Sequence, residues 1–450
     1  MLVLVRLTPK GGIQNLCNAI ESEKRNLYWE DVQPLYAIRQ EGKNYISILL
    51  DVKNLSAVTK VFVKNVHTMA AVKDTRTIPI MSPLYFPLPE GHGKDLESYL
   101  IYLRVSPEHY TTAYERIIGT RPAKGVCTRY LCYSFGDDDI IINVLAKDRE
   151  AATNFVVKRL MRIPGVSSYD LSRVARTLPL LPPDRLQAHR KRFLWTKPAG
   201  EGGKLANKAE YGKYLKEKAT MLVFVRLFAK KDIDPLWVDI ETRIPTFETE
   251  ALVPLYASQQ EEKDYITVIF EASNFEVLKD VLVDNMATLK NVRKTRTVPL
   301  IEPTYFLLPK EHSSELYRFL FSLRIEPGSY QTARARIVGA ELPPNFHFTY
   351  LSYSLGQDDL LLSVLADSRK AAQNFGRTVL DDIPGVESYD ISNQLRTMRL
   401  TSKETWKRHQ ERFLSSHDRQ HRREYDPRYD WTDDFKSYAA ITGAFIDELE

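Results

Sequence analysis

The 450-residue chain is 43% hydrophobic and 27% charged, and its 63 basic against 58 acidic residues leave a net charge of +5. So evenly mixed a surface argues against a dedicated polyanion binder, and the apolar content suffices for several packed cores. Three cysteines, Cys17, Cys127 and Cys132, are no disulfide framework and fit a reducing compartment.

The opening Met1–Arg6 lacks the basic start of a signal peptide, and no run approaches the ~20 apolar residues of a membrane helix. A cytoplasmic protein without membrane contact is therefore expected. Leu2–Leu7 reads as a strand and Ile13–Ile20 as a helix. Strands at Val32–Arg39 and Tyr45–Val52 flank the polar turn Glu41-Gly42-Lys43. A helical stretch at Leu55–Met69 and a strand at Val72–Met81 complete the unit. The same order returns as strand Ser98–Val105, helix Tyr110–Ile118, strand Thr128–Phe135, turn Gly136–Asp139, strand Ile140–Ala146, helix Glu150–Met161 and strand Ser168–Leu178. This alternation is the βαββαβ ferredoxin-like motif.

The second half repeats the first at an offset of 220. Met1-Leu-Val-Leu-Val-Arg-Leu7 recurs as Met221-Leu-Val-Phe-Val-Arg-Leu227, and Ile163-Pro-Gly-Val166 as Ile383-Pro-Gly-Val386. The expected organisation is α+β: four tandem ferredoxin-like units at 1–88, 95–194, 221–308 and 313–414, arranged as a duplicated pair. A linker spans 195–220, and an aromatic, charged tail follows at 415–450.

Side chains alternate across a strand. Val3, Val5 and Leu7 share one face, yet Leu2 and Leu4, beside Arg6, make the other face apolar too; Leu100 and Tyr102 accompany Arg104 in the same way. A sheet with helices on one side needs a polar second side where that side meets water. The second faces are therefore expected to pack face to face, within the chain or by self-association.

Arginine recurs in all four first strands (Arg6, Arg104, Arg226, Arg324) and before threonine in all four last strands (Arg76, Arg176, Arg296, Arg396). First and last strands are neighbours in this fold, so each unit has the means to join two guanidinium groups into a carboxylate or phosphate site. The ordinary reading is ion pairing within the sheet. The acidic turns Asp137–Asp139 and Asp358-Asp359 offer oxygen ligands to a cation, although an exposed hairpin is the ordinary reading. His92 with His312, and His189 with His409, recur across the halves. The latter pair reads as part of a solvated helix beside Arg192 and Arg412, which speaks against a haem ligand. No metal, cofactor or catalytic residue is expected.

The short motifs Arg6-Leu-Thr-Pro9, Gln40-Glu-Gly-Lys-Asn-Tyr45, Val72-Lys-Asp-Thr-Arg-Thr77, Gly136-Asp-Asp-Asp139 and Ile163-Pro-Gly-Val166 resemble the effector-binding domain of the leucine-responsive regulator (Lrp/AsnC) family, a dimeric α/β barrel. The likeness omits that family's helix-turn-helix, since the chain opens on a strand. It implies small effectors, such as amino acids, near the hairpin turn between the second and third strands of each unit: Gly42, Asn44 and Tyr45; Asp264 and Tyr265; Gly136 and Asp139; Gly356 and Asp359. The expectation is a non-enzymatic ligand-sensing or scaffolding protein that binds a small anion or carboxylate. A protein partner would dock on the tail through Tyr425, Tyr429, Trp431 and Phe435. The alternatives are a nucleic-acid or ribonucleoprotein-associated regulatory factor, using Arg190-Lys-Arg192 and Arg422-Arg423, and a haem or tetrapyrrole enzyme on a paired-domain barrel.

Overall fold

The computed structural model describes residues 1–22, 31–53, 57–58, 69–88, 96–121, 123–197, 200, 202–206, 221–285, 289–308, 316–326 and 328–415. The chain separates into two compact units, 1–220 with 273–288, and 221–272 with 289–450. Each contains one closed eight-stranded barrel.

In the first barrel β1 (Leu2–Pro9), β2 (Val32–Gln40), β3 (Ile46–Val52) and β4 (Val72–Tyr85) form one ferredoxin-like sheet. The second sheet comprises β5 (Glu97–Val105), β6 (Val126–Ser134), β7 (Ile140–Ala146) and β8 (Val166–Pro179). The strand order β1-β3-β2-β8-β5-β7-β6-β4 closes on itself. Its two seams are β2 against β8, where Ile38 faces Thr177, and β4 against β6, where Ile80 faces Ser134. β4 and β8 are each 14 residues long, so each pairs with its own sheet through one end and with the other sheet through the rest. Closure leaves no sheet edge open.

The twofold-apolar strands thereby acquire two cores. Val3, Val5, Ile101 and Leu103 point outward under helices such as α1 (Ile13–Ser22), α2 (Tyr110–Gly119) and α3 (Arg149–Lys158). Leu4, Leu100 and Tyr102 point into the barrel at 7%, 6% and 1% exposure. The predicted face-to-face packing is thus met within one chain, by sheets that join edge to edge around a common interior.

The second barrel repeats the plan with β9 (Met221–Ala229), β10 (Leu252–Gln260), β11 (Tyr265–Ala272), β12 (Val292–Tyr305), β13 (Tyr317–Ile325), β14 (His347–Ser354), β15 (Leu360–Ala366) and β16 (Val386–Arg399). A trailing helix lies against each barrel interior: α4 (Pro183–Arg192) brings Leu186 to the first core cluster, and α9 (Lys403–Phe413) brings Trp406 to the second. Five helices in this count, α4 to α8, run Pro183–Arg192, Ile233–Arg243, Phe275–Asn285, Tyr330–Val338 and Arg369–Phe375. No helix among the described residues is long and apolar enough to cross a membrane.

Trp406 is fully buried and stacks near Tyr256 and Tyr305. Trp406→Ala should lower unfolding free energy by roughly 3–5 kcal/mol, whereas Leu186→Ala should cost about 2 kcal/mol because its barrel is already hollow. Urea unfolding of the two variants checks the order; an equal loss would contradict it.

Candidate functional site

Among the described residues the four-fold arginine pattern serves two local arrangements, each repeated in both halves. In the first and third units the expected pairs do meet: Arg6 lies opposite Arg76 on β1 and β4, and Arg226 opposite Arg296 on β9 and β12. Their partners are the acidic turns. Arg76 bonds Asp137 at 2.6 Å, Arg6 approaches Asp138 at 3.6 Å, Arg226 approaches Asp358 at 3.6 Å, and Arg296 donates to Gln357 at 2.9 Å. Arg6 also covers the Tyr45 and Tyr102 rings at 4.9 and 5.3 Å, and Arg226 covers Tyr265.

In the second and fourth units the pairs do not form. Arg104 faces Ser168 and Arg324 faces Ser388, all near the strand ends. Arg176 lies opposite Arg39 across the seam and bonds Glu21, while Arg396 lies opposite Gln259 and bonds Glu241. The reason is the length of the last strand, which carries its arginine beyond its own sheet and into the neighbouring one.

The turns are likewise occupied by the fold. Asp139 accepts from the Val105 amide at 2.7 Å and the Tyr110 hydroxyl at 2.9 Å, and Asp359 does the same for Ile325 and Tyr330 at 2.8 and 2.7 Å. Asp264 pairs with Arg293 at 2.8 Å, and Tyr265 donates to Gln260 at 3.1 Å. A side chain at Gly136 or Gly356 would press on Ile78 or Val298, and Gly42 takes a left-handed φ of 74° beside exposed Asn44. No group of three or more metal-ligating side chains occurs among the described residues. Tyr425, Tyr429, Trp431 and Phe435, with His92 and His312, lie outside the described residues.

A cavity of about 100 Å³ opens inside the first barrel instead. Leu4, Leu49, Ile80, Leu100 and Ile141 make it apolar; Tyr36, Tyr85, Tyr130, Cys132, Arg129 and Arg190 supply its chemistry. Arg129 enters because β6 bulges there: Thr128 pairs with Val144 and Tyr130 with Asn143, so Arg129 has no opposite residue. A bulge of this kind re-aims a side chain that strict alternation would send elsewhere. Arg190 arrives from α4 and lies 5.4 Å from the Tyr36 ring centroid. The segment expected to be a solvated basic face therefore turns one arginine inward.

Neither Arg129 nor Arg190 has a carboxylate partner among the described residues. Burial, reinforced by the positive charge of Arg190, holds the Arg129 guanidinium below its ordinary pKa. The buried hydroxyls of Tyr36 and Tyr130 and Nε of Arg190 make no hydrogen bond. Burial raises the phenols of Tyr85 and Tyr130, and pushes the Cys132 thiol up to about 12, so all three stay protonated near neutrality.

The second barrel carries different residues at the equivalent positions. Thr349 stands for Arg129 and Gln410 for Arg190. Phe224 replaces Leu4, Trp406 replaces Leu186, and Arg318 replaces Ser98, all three being buried; Arg318 donates to the Tyr256 hydroxyl at 2.9 Å. Larger side chains fill what the first barrel leaves hollow.

His189 and His409 are not solvated: they are 3% and 0% exposed. Nδ1 of His189 lies 3.2 Å from Asp51, which Arg192 also bonds at 3.0 Å; Nδ1 of His409 lies 2.5 Å from Glu271, which Arg412 also bonds. Each clamp fastens a trailing helix to the third strand of its barrel. Only α4 and α9 carry these histidines at the barrel mouth, because their i and i+3 neighbours Leu186 and Trp406 face the core.

No protein-family model and no curated protein matches the chain. Solved structures do. A candidate monooxygenase from Lactobacillus acidophilus matches at 9% identity and a TM-score of 0.28, covering 41% of this chain and 95% of its own. Chlorite dismutase from Candidatus Nitrospira defluvii matches at 12% and 0.29 over 42% and 94%, and an anthrone oxidase-like protein at 10% and 0.29 over 40% and 94%. At such scores the likeness assigns no substrate to this chain; its ferredoxin-like α/β barrels are established by their own strand order. The expectation of a non-enzymatic Lrp/AsnC-like sensing or scaffolding module is corrected on two counts. The three structures named above carry enzyme or enzyme-like names, and the cavity lies inside a barrel, away from the effector turns.

The clamps make stability depend on acid. Burial alone would raise the Asp51 and Glu271 carboxyls, but the hydrogen bonds from His189 and His409, with Arg192 and Arg412, hold both below their ordinary values. Burial outweighs Glu271 and lowers His409. All three groups bind protons less readily folded than unfolded, so stability rises with pH through their titration. The His409 contribution is complete above about pH 6.5 and is lost as pH falls; the carboxylate contributions go below about pH 4. Urea midpoints should drop from pH 7 to pH 5, and the drop should be smaller in His409→Asn. An unchanged slope in that variant would contradict the assignment.

Proposed function

We propose that this chain is an enzyme whose reaction chamber is the interior of the first barrel, and whose substrate is a small weak acid held there as its anion. The observation that carries this reading is the meeting of Arg129 and Arg190 in an apolar cavity where no carboxylate among the described residues neutralises them. Two like charges partly withdrawn from water, as half-buried Arg129 and Arg190 are, gain from an opposite charge between them. Fixed cationic donors in such surroundings stabilise negative charge as it develops, which is where electrostatic catalysis is strongest. The unpartnered Tyr36 and Tyr130 hydroxyls add neutral donors around the same space. A cavity of about 100 Å³ takes roughly one small ring or a short carbon chain.

Haem, kept as an alternative from the sequence, does not fit this cavity. A tetrapyrrole has four rings where there is room for about one. No histidine lines the space, and its thiol and phenols are held in the protonated form, which does not ligate iron well. A cytoplasmic location belongs to the same proposal, supported by three free, buried cysteines. A protein partner on the tail is carried forward as a proposal from the aromatic residues of the sequence alone.

Exchange of the α-hydrogens of cyclopentanone for deuterium in heavy water, followed by mass spectrometry, tests the reading. The protein should accelerate exchange, and Arg129→Gln with Arg190→Gln should reduce that acceleration by about a hundredfold. Exchange at the uncatalysed rate with the unaltered chain, or an undiminished rate in the double variant, would contradict it.

A further inference from the structure

We infer that His189 is the proton acceptor of the first barrel, acting through Tyr85 on the ionisable group of the bound molecule. The inference rests on the reading of that barrel as an anion-stabilising chamber and adds the route by which the proton leaves.

The imidazole of His189 is held from three sides. Asp51 on β3 faces Nδ1, Arg192 on the same helix bonds that carboxylate, and Tyr85 on β4 presents its ring edge at 6.0 Å between centroids. A hydrogen shared with a carboxylate sits on Nδ1, which leaves Nε2 as a lone-pair acceptor. Nε2 is buried and has no hydrogen-bond partner among the described residues. A buried acceptor without a donor is unfavourable, so Nε2 is open to a hydrogen bond from an approaching donor.

The second barrel shows the same parts in a closed arrangement. Tyr305 and His409 stand edge to face at 5.5 Å, and the Tyr305 hydroxyl lies 3.0 Å from His409 Nε2. There the tyrosine is flanked by Trp406 and Tyr350. In the first barrel Tyr85 lines the cavity with Arg129 and Arg190, and its ring stands about half an ångström farther from the imidazole. A small shift of Tyr85 toward His189 closes the link that the second barrel already has.

The step balances without any added reagent. The acidic O–H or C–H bond of the bound molecule breaks, its electron pair stays on the molecule beside Arg129 and Arg190, and its proton goes to Tyr85 Oη. The proton that Tyr85 held passes to His189 Nε2, and Asp51 stabilises the resulting imidazolium. Return of the proton by the same route resets the site. Tyr85 touches the reacting group; His189 works only through it.

Fluorine NMR with 4-fluorophenol, at a pH where the free compound is neutral, reads the ionisation directly. The unaltered chain should bind it with the fluorine shift of the phenolate. Tyr85→Phe and His189→Gln should each lower the bound phenolate-to-phenol ratio at least tenfold, while Arg129 and Arg190 keep the compound bound. Tyr85→Phe leaves the His189–Asp51 clamp in place, so its loss of signal does not arise from unfolding. His409→Gln, which breaks the matching clamp in the second barrel, should leave the ratio unchanged. Phenolate retained in His189→Gln or an equal loss in His409→Gln would overturn the relay while leaving the chamber standing, and a neutral phenol bound by the unaltered chain would overturn both. No binding by the unaltered chain would overturn the chamber and the relay together.

Discussion

Everything in this chain depends on sheets that are apolar on both faces. A ferredoxin-like unit covers one face with its own helices and has nothing to place on the other. Joining two units edge to edge turns both uncovered faces inward, removes four open sheet edges, and creates a second core inside the ring. The 14-residue β4, β8, β12 and β16 are the means, since each bends from one sheet into the next and makes a seam. Leu4, Leu100 and Tyr102 would face water without that closure, and all three are buried.

A closed barrel of eight strands has an interior that side chains just fill. Small differences in volume therefore decide whether it is solid or hollow. Duplication allowed the copies to part: Phe224, Arg318 and Trp406 are buried in the second barrel, where the first has the smaller Leu4, Ser98 and Leu186, and Leu4 and Ser98 line its cavity. Charge parted along the same line. Arg129 and Arg190 occur only where the space exists, and Thr349 and Gln410 stand in the filled copy. The first barrel thus differs from the second both in the space of its interior and in the charge that lines it.

The fold was largely legible because it rests on repetition and alternation. The offset of 220 located the halves, strand parity exposed the second apolar face, and turn residues such as Gly42 and Gly136 marked the hairpins. The site was not, because it depends on departures from those regularities. Parity misplaces Arg129, which only the bulge beside Tyr130 turns inward. His189 and Arg190 sit in a helix whose composition is that of a wet surface, yet contact with the barrel mouth buries the first and aims the second. Residues repeated in every copy, such as Arg6 and Arg226, proved to hold turns together through Asp138 and Asp358. The useful signal lay in the opposite direction, at positions where the two halves differ: 98, 129, 186 and 190.

The asymmetry of the two barrels is the central claim, and locating a bound weak acid tests it most directly. In crystals of the full chain soaked with 4-bromophenol, anomalous scattering from bromine should mark one site per chain, inside the first barrel beside Arg129 and Arg190. Bromine within the second barrel, or at the hairpin turns with the first barrel unmarked, would contradict the account.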